Sequence, residues 1–278
     1  MRRISVLASA LLMIVALGAT PHGQAAQAPS GQPAQPSQPA TAGRRGGGDP
    51  FAGQPRVKAL VISGGCCHDY SGEAKVLMDT VGKALPVDWT VAIQGGRGTT
   101  GNISLYDNAD WAKGFDIVVH NECFADVTDP QYLRKITAAH RGGVPAIVIH
   151  CSMHSYRAAT VDDWREFLGV TSRRHTRAFN IPVKIAAKDH AVMSGFKADW
   201  VTPVDELYVI EKLWPSATPL ATAVSPEDQT EYPLVWVNEY GGKTRVFGTT
   251  LGHGNDTWND PVYQDLLTRG FKWALRRQ

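Results

Sequence analysis

Several side chains capable of catalysis or metal binding follow a short apolar run near the middle of the chain. The segment VPAIVIHCSMHSY, from Val144 to Tyr156, ends its apolar run at His150 and continues with Cys151 and His154. Imidazoles can bind metal ions or move protons, and a thiol can act as a nucleophile. Open α/β sheets bind ligands outside the carboxyl ends of their parallel strands. We therefore predict a site at this point of the chain.

Three other predicted strands also end in polar side chains. The polar side chains are His68 and Asp69 after the first strand, Glu122 after the third, and His253 and Asn255 after a late strand. If the strand ends share one edge, the imidazoles and the acid reach a common pocket. We predict His150 and His253 as general acid/base groups, with Glu122 as the carboxylate that orients one of them.

Three alternatives use the same region differently. In the first, the histidines hold a divalent metal such as Zn, with Glu122 completing the set, although no HxH or HExxH spacing supports it. In the second, the domain binds carbohydrate without catalysis and uses aromatic side chains as stacking platforms. In the third, Cys151 is a nucleophile activated by His253. The residues concerned are His68, His150, His154 and His253 for the metal, and Tyr156, Trp164 and Trp258 for stacking.

Four cysteines occur in the sequence: Cys66, Cys67, Cys123 and Cys151. In an exported protein an even number of cysteines favours disulfide formation. Because neighbouring cysteines seldom bridge each other, we expect a bond from Cys66 or Cys67 to Cys123 or Cys151.

The N-terminal segment has the features of a secretory signal. Residues 1–26 combine an arginine pair, an apolar run and small residues at an A-x-A-like cleavage region. That run is shorter than the roughly 20 residues of a membrane span, so we expect no stable membrane anchor after cleavage and a secreted or periplasmic protein. Residues 27–54, rich in Pro, Gln and Gly, are predicted to be a disordered linker, which leaves 55–278 as the domain.

The overall charge and size limit the classes of partner. The net charge of +2 gives no reason to expect nucleic acid as a partner. We expect a small-molecule ligand instead, and the sequence leaves the oligomeric state open. A domain of this length can bury a substantial core.

The pattern of elements predicts an α/β fold. Buried strands alternate with helices in the first half, which favours a mainly parallel sheet with right-handed crossovers. The second half contains strands joined by short turns, which would extend the sheet with antiparallel partners. The predicted strands are 57–63, 87–94, 115–120, the run ending at His150, 177–187, 206–212, 218–224, 234–240 and 244–251. The predicted helices are 71–85, 128–141, 161–168 and 260–275.

The sequence resembles the trehalose-utilisation (ThuA-like) family of the class I glutamine-amidotransferase-like superfamily. The matching segments are GGCCHDY (64–70), GFDIVVHNE (114–122), GGVPAIVIHCSMH (142–154), KDHAVMSGF (188–196), DELYVI (205–210) and PLVWVNEYGGKTRVFGTTLGHGNDTW (233–258). The resemblance implies a flavodoxin-like three-layer sandwich. It also implies a role in disaccharide or keto-sugar metabolism, and an enzyme of this kind would be a hydrolase, lyase or isomerase.

One departure from the wider superfamily argues against glutaminase chemistry. Glutamine amidotransferases carry a Cys at the sharp turn after the equivalent strand, in a G-x-C-x-G setting. Here His150 occupies that point, and Cys151 follows one residue later without flanking glycines. A displacement of one residue redirects a nucleophile, and attack geometry tolerates little displacement. His253 corresponds to the catalytic His of the superfamily, but no His-Pro-Glu arrangement follows it.

Overall fold

The computed structural model describes residues 50–277. The predicted signal segment, 1–26, lies outside the described residues. The predicted linker also lies outside them except for residues 50–54, which form turns. Within residues 50–277, no helix combines the length and the hydropathy that a bilayer span requires.

Strands and helices alternate in the first half of the domain, and strands dominate the second half. The strands are β1 (Val57–Gly65), β2 (Val87–Ile93), β3 (Ile117–Cys123), β4 (Ala146–Ile149), β5 (Val170–His175), β6 (Phe179–Pro182), β7 (Lys184–Ile185), β8 (Val201–Asp205), β9 (Tyr208–Leu213), β10 (Ala217–Val224), β11 (Glu231–Tyr240) and β12 (Thr244–Thr249). The helices are α1 (Tyr70–Val81), α2 (Pro130–Arg141), α3 (Asp163–Leu168), α4 (Asn255–Asn259) and α5 (Pro261–Ala274).

An eight-stranded mixed sheet organises the domain, in the order β2-β1-β3-β4-β12-β11-β10-β7. The strands from β2 to β12 in this order pair in parallel, whereas β11, β10 and β7 add antiparallel partners. Two small two-stranded sheets, β5-β9 and β6-β8, lie outside it. The predicted α/β class is confirmed, including the antiparallel extension in the C-terminal half.

The central strands are buried because helices cover both faces of the sheet. β3 and β4 consist only of buried residues, as expected for parallel strands packed on both sides. Helices α1 and α5 pack together on one face, and α2 and α3 pack together on the other. On the first face, the ring of Phe271 in α5 contacts Trp89 in β2 edge-on. On the second, Trp236 of β11 donates a hydrogen bond to the carbonyl of Leu168 in α3.

A glycine allows β1 to end against β3. Gly65 has a φ of +96°, and a Cβ there would lie 2.1 Å from the carbonyl oxygen of Cys123. Only glycine fits this conformation and this close approach. The loop that begins after Gly65 therefore starts directly beside the end of β3.

Several element boundaries differ from those predicted. The first helix is capped by Asp69 rather than by a serine, and it ends at Val81 instead of continuing to residue 85. β3 extends three residues beyond the predicted end, to Cys123. The predicted strand 177–187 is divided into β6 and β7, whereas β5, β8 and α4 were not predicted. β8 contains Pro203, a residue type that strands disfavour, and β5 has the polar sequence VTSRRH.

Candidate functional site

Three histidines meet at the carboxyl edge of the parallel sheet. His68 follows β1, His150 follows β4 and His253 follows β12. The ring centroids of His150 and His68 are 4.9 Å apart, and that of His253 lies 5.5 Å from His68 and 5.4 Å from His150. Each residue offers one ring nitrogen, and these nitrogens lie within 4.8 Å of one another. Sequence analysis predicted this convergence.

Backbone carbonyls fix the orientation of two of the rings. The Nδ1 atom of His150 lies 2.7 Å from the carbonyl oxygen of Thr250, and Nδ1 of His68 lies 3.2 Å from that of His253. Because a carbonyl can only accept, each Nδ1 carries the proton and donates it. The lone pair of each ring is then on Nε2, the arrangement found in metal-binding histidines.

His150 adopts an unusual backbone conformation. Its φ is +44°, in the left-handed region that residues other than glycine seldom occupy. It begins a 3₁₀ turn, residues His150–Met153, directly after β4. Backbone strain of this kind concentrates at functional sites. The turn directs the imidazole across the end of the sheet toward the other two histidines.

Burial keeps two of these imidazoles uncharged. It lowers the pKa of His68 to about 4, with a further contribution from the neighbouring His253. Burial also lowers the pKa of His150 well below its ordinary value, and the adjacent His68 lowers it further. Both rings are therefore neutral near pH 7, and neutral imidazole is the form that binds a metal ion.

The carboxylate beside these rings is Glu206, which sequence analysis did not select. Its Oε2 lies 3.4 Å from Nδ1 of His253 and 3.7 Å from Nε2 of His150. Its Oε1 lies 3.5 Å from Nδ1 of His175. Burial raises the pKa of Glu206, and the nearby His253 and His175 oppose that rise. We call His68, His150, His253 and Glu206 the edge cluster.

A buried carboxylate, Asp205, holds the loop that carries His253. It accepts hydrogen bonds from the backbone N–H groups of Gly252 and His253, at 3.0 and 3.3 Å, and from the hydroxyl of Thr257 at 2.6 Å. Trp258 donates its indole N–H to the carbonyl of Gly252 at 2.9 Å. The DELY segment, residues 205–208, thus supplies two acids. Asp205 positions the loop that carries His253, and Glu206 faces the imidazole rings.

A second buried acid, Glu73, lies beneath His68. Its Oε1 is 3.7 Å from Nδ1 of His68, and Asn121 donates to Oε2 at 2.7 Å. Burial raises the pKa of Glu73 to about 7. Sequence analysis missed this residue because it lies within α1, where an acid ordinarily faces solvent.

Glu122, the predicted carboxylate partner, lies in a different place. It is fully buried, and its Oε1 contacts Nδ1 of His120 at 3.0 Å and accepts from the hydroxyl of Tyr106 at 2.9 Å. Because β3 continues to Cys123, its residues alternate between the two faces. Asn121 therefore faces α1, whereas Glu122 faces the layer of α2 and α3. The structure does not bring Glu122 to the edge cluster.

His154, a predicted metal ligand, is separated from the other three by Tyr208. Its ring stacks on that of Tyr208 with centroids 3.9 Å apart, and its Nε2 lies 3.0 Å from the hydroxyl of Ser172. The hydroxyl of Tyr208 reaches Nε2 of His150 at 3.3 Å. His154 therefore packs behind the tyrosine and supports it.

The cysteines are paired differently from what we expected. Disulfides join Cys66 to Cys67 and Cys123 to Cys151. The second bond links the ends of β3 and β4, whose neighbouring positions leave the two Cα atoms 5.2 Å apart, a normal distance for a disulfide. Cys151 has no free thiol and is not a nucleophile in this state.

The remaining predicted ligand-binding residues have mainly structural surroundings. Tyr156 and Trp258 are each 1% exposed and cannot stack on a ligand, and Trp164 is equally buried. Asp69 accepts a hydrogen bond from Gly72 N–H as the cap of α1. Asn255 is exposed at the first position of α4, two residues after His253.

The mouth of the site is formed by two partly exposed imidazoles. The side chains of His253 and His175 are 41% and 40% exposed, whereas that of Glu206 is 13% exposed. The site therefore has a buried floor, made by His68 and His150, and a side open to solvent. A small molecule that approaches from this side meets His253 and Glu206 first, with His68 and His150 behind them.

A family model described as ThuA: Trehalose utilisation matches residues 58–274 of this chain. No curated protein matches the sequence.

Solved structures with a similar fold include two ThuA-like proteins. One, from Parabacteroides merdae ATCC 43184, is 19% identical with a TM-score of 0.63, over 80% of this chain and 90% of its own. The other, from Bacteroides uniformis ATCC 8492, is 14% identical with a TM-score of 0.62, over 82% and 95%. A cytoplasmic protein from Salmonella typhimurium is 14% identical with a TM-score of 0.52, over 77% and 98%. At these identities the likeness establishes the fold alone.

Proposed function

The chain belongs to the ThuA (trehalose utilisation) family, and on that premise we propose that it is a metal-dependent enzyme acting on a sugar or keto-sugar derivative. One observation carries the proposal. Three imidazole nitrogens from separate strand ends lie within 4.8 Å of one another beside a carboxylate. Such a set of nitrogen donors suits zinc, which in catalytic sites takes three protein ligands and keeps one position for substrate.

The residues present fit a divalent cation. His68 and His150 are neutral, and their Nδ1 protons are bonded to backbone carbonyls, which leaves both Nε2 atoms free of protons. His253 completes the set from the solvent side, where a ligand would enter. A cation held there would act as a Lewis acid on a carbonyl or hydroxyl oxygen.

Glu206 is placed to transfer a proton. Its Oε2 faces His150 and His253 at 3.7 and 3.4 Å, so it lies next to any ligand oxygen between the rings. The burial that raises its pKa brings the carboxyl closer to the range in which a group both accepts and releases protons. Asp205 and Tyr208 position other residues of the site. Asp205 fixes the His253 loop, and Tyr208 contacts the ring of His150.

The test measures metal content and turnover on the same preparation. We expect about one equivalent of zinc or another divalent metal per chain by mass spectrometry of protein purified without chelator. Turnover would be followed on trehalose, other disaccharides and their singly oxidised keto derivatives. A chelator should abolish turnover, and returning the metal should restore it.

Glu206→Gln separates proton transfer from metal binding. The variant should keep its metal but lose about 100-fold or more in kcat, the usual contribution of a general acid or base. Glu211→Gln is the matched control, since Glu211 lies five residues further on, in β9, and pairs with Arg173 at the surface. The proposed mechanism would be refuted if the purified protein held no metal. It would also be refuted if Glu206→Gln turned over substrate as fast as the wild type.

We also propose that the enzyme works outside the cytoplasm. Residues 1–26 have the composition of a secretory signal, and the two disulfides suit an oxidising compartment. N-terminal sequencing of the mature protein should give a start shortly after Ala26. A cytoplasmic protein that retains Met1–Ala26 would contradict this assignment.

A further inference from the structure

All four cysteines lie side by side, although they are far apart in the sequence. Cys66 and Cys67 follow β1, Cys123 is the last residue of β3, and Cys151 follows β4; these are neighbouring strands with a common carboxyl edge. The Sγ atom of Cys66 lies 3.7 Å from the Sγ atom of Cys123, so the two disulfides are in contact. The backbone N–H of Cys66 also bonds to the carbonyl of Cys123 at 3.3 Å. This holds the two pairs together through the main chain.

Access to solvent differs between the two disulfides. Cys67 is exposed and Cys66 is half-buried, whereas Cys123 and Cys151 are 3% and 7% exposed. Tyr70 packs over the inner pair, and its hydroxyl donates to the carbonyl of Cys66 at 2.7 Å. An external thiol can therefore attack the outer disulfide but has no direct path to the inner one. Exchange of thiols and disulfides depends on such access.

We propose that the four cysteines form a dithiol–disulfide relay, which passes two electrons from an external dithiol through Cys66–Cys67 to Cys123–Cys151. This inference is independent of the proposed metal-dependent function, because no step uses the edge cluster. The contact between Cys66 and Cys123 sets the route, and the difference in exposure makes the outer pair the point of entry.

Each step exchanges one sulfur–sulfur bond for another. An external dithiol first reduces Cys66–Cys67 to two thiols and becomes a disulfide itself. Cys66 then attacks Sγ of Cys123, which forms Cys66–Cys123 and releases Cys151 with the electron pair of the broken bond. Cys67 attacks Cys66 in turn, which restores Cys66–Cys67 and releases Cys123. The two protons lost by Cys66 and Cys67 are taken up by Cys123 and Cys151.

The backbone supports a special role for the outer pair. Cys67 has a φ of +87°, in the left-handed region that non-glycine residues seldom adopt. The residue before it is fixed by the hydrogen bond to Cys123, whereas the Cys67 side chain faces solvent. The outer pair thus has one sulfur in contact with the inner disulfide and one available to a partner. Such a division suits an attacking and a resolving cysteine.

Single substitutions distinguish the roles of the two outer cysteines. In Cys67→Ser, Cys66 has lost its partner and should attack the inner disulfide, and without Cys67 the product can be undone only by the reverse attack of Cys151. Peptide mapping of the full-length protein after alkylation at low pH should then show a Cys66–Cys123 bond and an alkylated Cys151. In Cys66→Ser, the Cys123–Cys151 bond should remain intact.

A kinetic measurement gives a second reading of the same route. Dithiothreitol should open the inner disulfide at least about tenfold faster in the wild type than in the Cys66→Ser and Cys66→Ser/Cys67→Ser variants. Circular dichroism would establish that each variant is folded. An intact Cys123–Cys151 bond in folded Cys67→Ser, or equal rates of inner reduction with and without Cys66, would overturn the relay. Loss of metal in any variant would leave this result unaffected, since the readout is the bonding of sulfur.

Discussion

The domain contains two groups of histidines and carboxylates with opposite surroundings. The edge cluster lies where parallel strands end, and its nitrogens face one another across an opening to solvent. The second group, which we call the enclosed group, lies between the sheet and the layer of α2 and α3. It consists of Tyr106, His120, Glu122 and His140, all of them fully buried.

The enclosed group satisfies its imidazole nitrogens internally. His120 contacts Glu122 at 3.0 Å through Nδ1 and His140 at 2.9 Å through Nε2. His140 in turn contacts the carbonyl of Val144 at 2.7 Å. The aromatic rings of Trp111 and Trp164 contact His120, and that of Phe167 stacks on His140. One carboxylate oxygen of Glu122, Oε2, has no hydrogen-bond partner within residues 50–277, but both imidazoles are bonded on both nitrogens. Buried imidazoles bonded in this way fix packing rather than bind a ligand.

The comparison shows that residue type alone does not identify a site. Both groups combine imidazoles with a carboxylate, but only the edge cluster includes an imidazole, that of His253, whose side chain is exposed to solvent. Position on the strand decides which group a side chain joins, since a side chain past the strand end reaches the opening. One within the strand points into a helix layer.

The largest expected effect is the loss of metal binding when the edge cluster is broken. His68→Ala removes one of three nitrogen donors and should weaken zinc affinity by more than about 100-fold, beyond what loss of an outer hydrogen-bond partner causes. Competition with a chromogenic chelator measures this change. His190→Ala, a histidine that packs on Trp273 away from the cluster, is the control and should bind as the wild type does.

The opposite result is expected from the enclosed group. His140→Ala leaves a buried ring nitrogen of His120 and the carbonyl of Val144 without their partner and creates a cavity. We expect the free energy of unfolding in urea to fall by about 2–4 kcal/mol. Zinc affinity of the folded variant should equal that of the wild type. A variant of normal stability that loses zinc would abolish the distinction between the two groups.

Acid should destabilise the protein, because the fold holds histidines in the neutral form. Burial and the neighbouring His120 lower the pKa of His140, and burial lowers that of His154 to about 3. The unfolded chain binds these protons below about pH 6.5, so the free energy of unfolding of metal-free protein should fall as the pH decreases. Each such histidine contributes about 1 kcal/mol per pH unit in this range. Urea titrations at pH 7, 6 and 5 measure the slope.

The same titrations can assign part of that slope to one residue. His140→Gln removes a buried group that must be protonated on unfolding, so its slope should be smaller than that of the wild type at equal ionic strength. A slope for His140→Gln equal to that of the wild type would mean that His140 is already protonated in the fold.

The smallest effect is expected from the support of the His253 loop. Thr257→Val removes the hydroxyl that donates to Asp205 at 2.6 Å and leaves the three backbone donors of Gly252, His253 and Glu206 in place. Zinc affinity should fall by about three- to tenfold, less than after loss of a direct ligand. Thr268→Val in α5 is the control, since its hydroxyl bonds to the carbonyl of Gln264 in its own helix. Unchanged zinc affinity would mean that the hydrogen bond from Thr257 to Asp205 does not help to position the His253 loop.

The parallel half of the fold could be predicted from the sequence because its strands are continuous apolar runs. The same runs located His68, His150 and His253, since each follows a strand end. Glu122 was misplaced because the apolar run ends at His120 while the strand itself continues to Cys123. The apparent strand end therefore did not show on which side of the sheet Glu122 lies.

Glu206 could not be found by the same reasoning. It follows β8, an edge strand of a two-stranded sheet, and not a strand of the main sheet. The distance that matters, 3.4 Å to His253, depends on how the β5-β9 and β6-β8 sheets fold back over the parallel edge. Local pattern does not encode that packing. The cysteine pairing was also missed, because the rule that neighbours seldom bridge does not account for the turn after β1.

The spread of the edge cluster along the sequence determines when it can form. Its imidazoles come from positions 68, 150 and 253, so a chain emerging from the ribosome holds two of the three until β12 has been synthesised. Contacts between such distant positions also slow folding, because the chain must first close a long loop. Metal capture would thus report that the last parallel strand has joined the sheet, and a fluorescent zinc indicator could time this step during refolding.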